Sequence, residues 1–336
     1  MNDADLLWNL PAEPLGERDQ RPPRVIAVVG PTATGKTALG IEIAERVGGE
    51  VINADALQVY RGMDIGTAKP TAEERARIPH HLIDILDPEE RYSAGEFARR
   101  AQIAMEEIAG RGKWPIVVGG SGLYLKALLE GLSPMPPRDL KVREELELEL
   151  ATEGLPAMVE KLRQVDPPTA ARLLSGDTQR VLRALEVERS SGRPLSAWIA
   201  DQPMGQEPLP ALKIGLTLPR KLLYDRIDQR VDLMEKAGWV QEIRELLEAG
   251  HSASAPAFQA IGYRQLIRYL RGKWSLTEAL SDTMRTTRRF AKRQITWFRK
   301  EHGLHWIPAQ RLEPRLSQIL SEISPIGDRR GSHGET

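Results

Sequence analysis

The chain has 336 residues, enough for a large core and more than one structural unit. Its 47 Lys and Arg balance 47 Asp and Glu, so any nucleic-acid surface must be a local concentration of basic side chains. The absence of cysteine excludes disulfides, thiolate metal sites and cysteine nucleophiles.

Met1 to Leu10 has two aspartates and no basic stretch, so no secretory signal is expected there. No apolar run has the length needed to span a bilayer, and a cytoplasmic protein is expected. Residues 1–23 mix Pro, Glu, Arg and Gly and are expected to form a disordered leader; residues 325–336 are expected to form a disordered tail.

Arg24 to Val29 (RVIAVV) is a β-branched apolar run and predicts a buried parallel strand. The next eight residues, Gly30-Pro31-Thr32-Ala33-Thr34-Gly35-Lys36-Thr37, satisfy G-x-x-x-x-G-K-[ST] at every position. The glycines let the backbone wrap an anion, and the helix N-terminus adds its partial positive charge. Lys36 supplies a full charge for the outer phosphate, and the Thr37 hydroxyl can meet Mg²⁺. Thr32 and Thr34 either cap the turn or reach the anion. The spacing of Leu39, Ile43 and Val47 predicts a helix from Lys36, which Gly48-Gly49 ends.

Glu50 to Asn53 predicts a second strand. Asp55 follows it, at the end of the sheet where ligands bind in doubly wound folds. Such a carboxylate can be a general base, a Mg²⁺ partner or a turn residue. Ile116 to Val118 predicts another buried strand, followed by Gly119-Gly120-Ser121-Gly122 and a helix through Leu125 and Leu129. An acid at that strand end usually holds Mg²⁺ in phosphoryl-transfer enzymes, and none is present here.

After Gly131 the pattern changes. Ser133 to Pro137 is a proline-rich connector, and the next segment reads as helices with capping signals at Asp166 and Asp177. Leu212 to Leu218 returns as a strand, and from Arg220 onward the chain is expected to be mainly helical. The fold class expected is α/β: a P-loop NTPase-like parallel sheet flanked by helices, with an all-helical insertion domain. Its parts are residues 24–131 and 209–324 for the core and 132–208 for the insertion.

Arg285, Arg288, Arg289, Lys292, Arg293, Arg299 and Lys300 lie in one stretch with Phe290, Trp297 and Phe298 interleaved and no acid among them. This is either a solvated basic face or a surface that tracks RNA phosphates. The same choice holds for Arg180 and Arg183. His302 and His305 stand at helical spacing without a third ligand, so zinc is not expected.

Asp55-Ala56-Leu57-Gln58-Val59-Tyr60-Arg61-Gly62-Met63-Asp64-Ile65-Gly66-Thr67-Ala68-Lys69-Pro70 resembles a run of the tRNA dimethylallyltransferases. So do Gly119 to Tyr124, Gln179 to Glu186, Ile261 to Gln265 and Lys292-Arg293-Gln294-Ile295-Thr296-Trp297-Phe298-Arg299. The resemblance runs from about residue 25 to 307. It implies that Gly30, Thr32, Ala33, Thr34, Gly35, Lys36 and Thr37 hold dimethylallyl diphosphate, with Mg²⁺ at Thr37. It also implies that Asp55 is the base for the adenine N6 amine, that Arg230 reaches the diphosphate, and that Ser121 lies near the reaction centre.

With the basic stretch, it implies a tRNA surface for the anticodon arm. The first group in that surface is Asp55, Ala56, Leu57 and Gln58; the second is Arg143, Gln179, Arg180 and Arg183. The others are Gly262, Tyr263 and Arg264, then Arg289, Lys292, Arg293, Gln294, Trp297 and Arg299. A monomer without membrane contact is expected. Two positions depart from the family: Ala56 stands where serine is common and Ser121 where threonine is usual. The competing readings are an isopentenyltransferase acting on a free adenylate, a small-molecule kinase and a nucleotide-switched binding module.

Overall fold

The computed structural model describes residues 21–132, 135–173, 177–201, 207–310 and 312–321. Most of the expected leader, the expected tail and Ser133-Pro134 of the connector lie outside the described residues.

The elements in chain order begin with β1 (Val25–Val29), α1 (Lys36–Val47), β2 (Gly49–Asn53), α2 (Ala72–Arg77), β3 (His80–His81), α3 (Ala94–Gly110), β4 (Trp114–Val118) and α4 (Gly122–Leu129). There follow α5 (Leu140–Val165), α6 (Pro167–Arg172), α7 (Thr178–Ser191) and α8 (Leu195–Ala200). The chain continues with β5 (Ala211–Thr217), α9 (Arg220–Lys236), α10 (Trp239–Glu248), α11 (Tyr263–Leu270), α12 (Leu276–Phe298), β6 (Leu304–Pro308) and α13 (Leu312–Ser321). Two compact units result: Met1–Leu129 with Leu209–Thr336, and Glu130–Pro208.

The first unit is built on a six-stranded sheet of order β3-β2-β4-β1-β5-β6, in which every pairing is parallel. Helices cover both faces, which is why the central strands are apolar at nearly every position. Ile26 and Val28 pack with Leu39, Ile43, Ile116 and Ile214 on one side. Val25, Ala27 and Val29 pack with Phe97, Ala101, Leu125 and Leu128 on the other. Gly48 ends α1 in the left-handed conformation, with its N–H on the Ala44 carbonyl, while Gly49 already belongs to β2. Parallel register brings the carboxyl ends of β1, β2 and β4 to one edge, so residues 30–37, Asp55 and residues 119–121 converge.

One strand escaped the pattern reading: β6 adds to the sheet edge beside β5 within the region expected to be mainly helical, while β3, at the opposite edge, has only two residues. His305 is therefore a buried strand residue, and the helical spacing assigned to His302 and His305 does not exist.

The second unit is helical. Its core joins Leu146, Met158 and Leu162 of α5 to Val181, Leu182 and Leu185 of α7. α5 breaks at Gly154, where φ is 80°. Asp166 and Asp177 cap α6 and α7 by accepting the Thr169 and Arg180 N–H groups.

Inside this unit the Glu186 carboxylate is fully buried. It accepts from Arg183 Nη1 at 2.6 Å and from the Asp139 N–H at 3.2 Å, and Arg143 Nη1 lies 3.7 Å away. Arg143 also reaches Glu147 and the Gln179 amide oxygen, and Arg183 donates to the Pro136 carbonyl. Arg143 is buried, and its guanidinium is committed to Glu186, Glu147 and Gln179, a correction to its assignment as an RNA contact. Gln179 is exposed with only its amide oxygen engaged among the described residues, and Arg183 is half-buried beside the acid, which is costly to leave alone. Arg180 is exposed, with its guanidinium 3.3 Å from Asp177.

Among the described residues, no helix is long and apolar enough to cross a membrane.

Candidate active site

The loop between β1 and α1 carries a non-glycine residue, Ala33, at φ 64°, a conformation that L residues occupy only when the surroundings enforce it. Thr34 turns its hydroxyl inward onto the Pro31 carbonyl at 2.8 Å and is buried. Its side chain therefore shapes the turn, which leaves the backbone N–H of Thr34 as its group for an anion. Lys36 Nζ donates to the same carbonyl at 2.7 Å.

A cavity of about 770 Å³ opens over this loop. It brings together Lys36, Thr37, Asp55, Ser121 and Arg230, from separate stretches of the chain. Arg230 comes from α9, and its Nη1 lies 3.4 Å from the Thr32 hydroxyl. Burial pushes Lys36 down to about 8, although Asp55 pulls the other way; the Arg230 charge adds to the lowering. Burial lowers Arg230 as well, against the opposing pull of Asp55. These are cations removed from water with one carboxylate between them, the arrangement that a polyanion stabilises.

Asp55 follows β2 and is held by its neighbours. Its N–H donates to Asn53 Oδ1 at 3.1 Å, and its Oδ1 accepts the Leu57 N–H at 2.9 Å. Asn53 is fixed in turn through the Leu82 carbonyl. Oδ2 of Asp55 has no hydrogen-bond partner among the described residues, so one carboxylate oxygen remains for chemistry. Asn53 was not singled out in the sequence; its place two residues before the acid is the signal that could have found it.

Beside this cavity the remaining expected RNA-binding residues separate into groups. Ala56 and Leu57 line it. Gln58 is buried, and its amide nitrogen donates to the Thr67 and Ala68 carbonyls, so only its amide oxygen lacks a protein partner among the described residues. Tyr263 is a core residue: its hydroxyl donates to Glu242 at 2.7 Å, and Glu242 also accepts the N–H groups of Asp64, Ile65 and Gly66. A Cβ at Gly262 would stand 1.9 Å from the Trp239 ring. Gly262 and Tyr263 therefore hold the wall of the cavity, a correction to their assignment as RNA contacts; Arg264 beside them is exposed.

Nothing local marked Glu242 as the anchor of residues 64–66, because its partners lie about 180 positions away. His80 also lines the cavity, with Nδ1 on the Ile78 carbonyl and no partner for Nε2.

On α12 the cations differ among themselves. Arg288 is paired with Asp228 at 2.6 Å and Arg285 with Asp282. Arg289, Lys292 and Arg293 are exposed and have no acidic partner among the described residues. Trp297 is 39 % exposed, and Arg299 is half-buried at the helix end. Gln294 points inward. It accepts the Thr32 N–H at 2.9 Å and donates to the Gly120 carbonyl at 3.0 Å. Its assignment to RNA is corrected: both ends of its amide are engaged with protein backbone.

A family model described as IPP transferase matches residues 58–301, and one described as isopentenyl transferase matches residues 23–84. A tRNA dimethylallyltransferase of Syntrophobacter fumaroxidans is 48% identical over 306 residues, covering 91% of this chain and 90% of that protein. The enzyme of that name from Geobacter metallireducens is also 48% identical, over 91% of this chain and 98% of its own. The solved tRNA isopentenylpyrophosphate transferase of Bacillus halodurans superposes with a TM-score of 0.63 at 40% identity, covering 89% of this chain and 93% of that one. A eukaryotic dimethylallyltransferase acting on tRNA superposes with a TM-score of 0.73 at 29% identity, covering 90% of this chain and 80% of that one.

Proposed function

The chain belongs to the tRNA dimethylallyltransferase family and is a tRNA-modifying prenyltransferase, and within that reaction we propose that the cavity over residues 30–37 holds dimethylallyl diphosphate. The acceptor is the N6 amine of the adenosine 3′ to the anticodon. The observation that carries this reading is the meeting of Lys36, Arg230 and Asp55 in one cavity.

The adenine amine is a weak nucleophile because its lone pair is delocalised into the ring. As nitrogen bonds to the allylic carbon, Asp55 takes a proton from it through the free carboxylate oxygen. The carbon–oxygen bond to the diphosphate breaks in the same process, and the leaving group departs with the electron pair. Lys36, Arg230 and the amides of the loop stabilise the charge that develops on it. A base stacked in the anticodon loop cannot reach Asp55, so it must turn out into the cavity.

The oxygen donors suit Mg²⁺, which takes few protein ligands and several from phosphate and water. Thr37 would hold it, and it would neutralise diphosphate charge. The end of β4, Val118-Gly119-Gly120, has no acid, which disfavours the kinase reading. Arg289, Lys292 and Arg293 supply an open basic face for the anticodon arm, and Arg180 adds an exposed cation in the helical unit. The protein acts in the cytoplasm as a monomer.

Incubating tRNA that lacks the modification with the protein, Mg²⁺ and dimethylallyl diphosphate tests this directly. Mass analysis of the digested nucleosides is expected to find N6-isopentenyladenosine, and tandem fragmentation of the tRNA to place it beside the anticodon. Transfer of labelled phosphate from ATP, with no prenylated nucleoside, would overturn the assignment.

A further inference from the structure

The phosphate loop and the basic helix are joined through one side chain. Gln294 is 6% exposed, and its amide spans from the Thr32 N–H to the Gly120 carbonyl. The approach is so close that a Cβ at Gly120 would lie 2.3 Å from Gln294 Nε2. Trp297, less than one turn further on, seats on Gly122 in the same way, with a Cβ there 2.2 Å from its Nε1. The amide accepts from one backbone group and donates to the other; a carboxylate or an ammonium of similar length does half of this. Thr32 in turn is the residue that Arg230 meets. On the same helix Arg289 and Lys292 are exposed, and Arg293 is exposed at the cavity itself.

We propose that Gln294 is a positioning residue that couples the two substrates. RNA held by the exposed cations of α12 fixes the helix, and Gln294 passes that restraint to Thr32 and to the turn at Gly120. The loop is then set for the diphosphate, and the donor binds more tightly when tRNA is present. By linkage, bound donor tightens tRNA by the same factor. This coupling rests on the donor and tRNA assignments proposed above.

The test uses a thio analogue of dimethylallyl diphosphate that binds without transfer. Its affinity is measured by calorimetry with and without saturating tRNA, in the wild type, Gln294→Met and Gln294→Glu. The wild type is expected to bind the analogue at least about fivefold more tightly with tRNA present. Gln294→Met, similar in size and unable to make either hydrogen bond, brings that ratio close to one while tRNA alone still binds. Gln294→Glu keeps an acceptor for the Thr32 N–H, loses the donor to Gly120 and places negative charge beside the diphosphate. It weakens the analogue more than the methionine variant does.

A ratio of one in an active wild type, or an unchanged ratio in Gln294→Met, overturns the coupling and leaves the assigned reaction standing. Equal loss of tRNA and analogue binding, with an unchanged ratio between them, marks Gln294 as merely structural and also overturns it. A wild type that binds no analogue overturns the donor assignment and the coupling together.

Discussion

The cations beside Glu186 and those beside Asp55 are both drawn out of water, but to different ends. In the helical unit Arg143 and Arg183 enclose one fully buried carboxylate, and each has further acceptors within reach. At the foot of β2, Glu50 is served likewise by Arg111, His81 and Lys113; burial opposes its charge, and those hydrogen bonds overcome it and hold it down to about 2. In the cavity the relation is inverted. Lys36 and Arg230 are both lowered by burial, and a single carboxylate stands between them. A buried cation matched by protein acceptors stabilises the fold. A buried cation left short of negative charge is a binding group held ready.

Removing the acid from the matched network has the largest expected effect. Glu186→Ala leaves Arg143 and Arg183 short of their counter-charge, and breaking a buried pair of this kind costs about 3–5 kcal/mol. Urea unfolding of the variant checks this, and a loss below about 1 kcal/mol would mean that the two arginines find other acceptors and that the network is dispensable.

A smaller effect is expected from pH in the unmatched site. Lys36 must be charged to meet the diphosphate, and its free-state value is about 8. Below that pH the ammonium is present and binding is at its full strength. Above it the lysine must take up a proton on binding, so donor affinity falls by about tenfold for each pH unit until the raised pKa of the complex is reached. Lys36→Arg, charged throughout, abolishes the dependence even if it binds less well. A donor titration at pH 7 and pH 9 reads this; equal affinities in the wild type would show that Lys36 does not meet the anion.

Smaller again is the change on the open helix face. Neutralising Arg289 and Arg293 together is expected to weaken tRNA binding and flatten its salt dependence, by a slope of about 0.7–0.9 for each phosphate that is no longer neutralised. An unchanged slope would place both side chains in solvent when RNA is bound.

The loop at residues 30–37 and the helix after it were legible because their spacing is local. β6 was not, because Leu304 to Pro308 is five residues long, includes a histidine and a proline, and gains its place only by pairing with β5. Asp55 could be located at the cavity edge from the strand before it, and Asn53, two residues earlier, carried a local signal; the tie from Asn53 to the Leu82 carbonyl shows only in three dimensions. The pairing of Arg143 and Arg183 with Glu186 was not legible, because a basic side chain carries no mark of its partner; Glu186 lies 43 and 3 positions away, and only folding brings the three together. Tyr263 misled in the same way. Its hydroxyl is turned to Glu242, and no period or spacing in the sequence announces that clamp.

The central claim is that Asp55 takes the proton while its surroundings hold the donor. Single-turnover transfer by Asp55→Asn, at saturating donor and tRNA, tests it most directly. The variant keeps the size of the side chain and the acceptor for the Leu57 N–H, so both substrates are expected to bind nearly as before. The rate of transfer is expected to fall by roughly a hundredfold or more, the scale of a lost general base. A rate close to that of the wild type would contradict the account, because the proton would then leave by another route and Asp55 would only shape the turn.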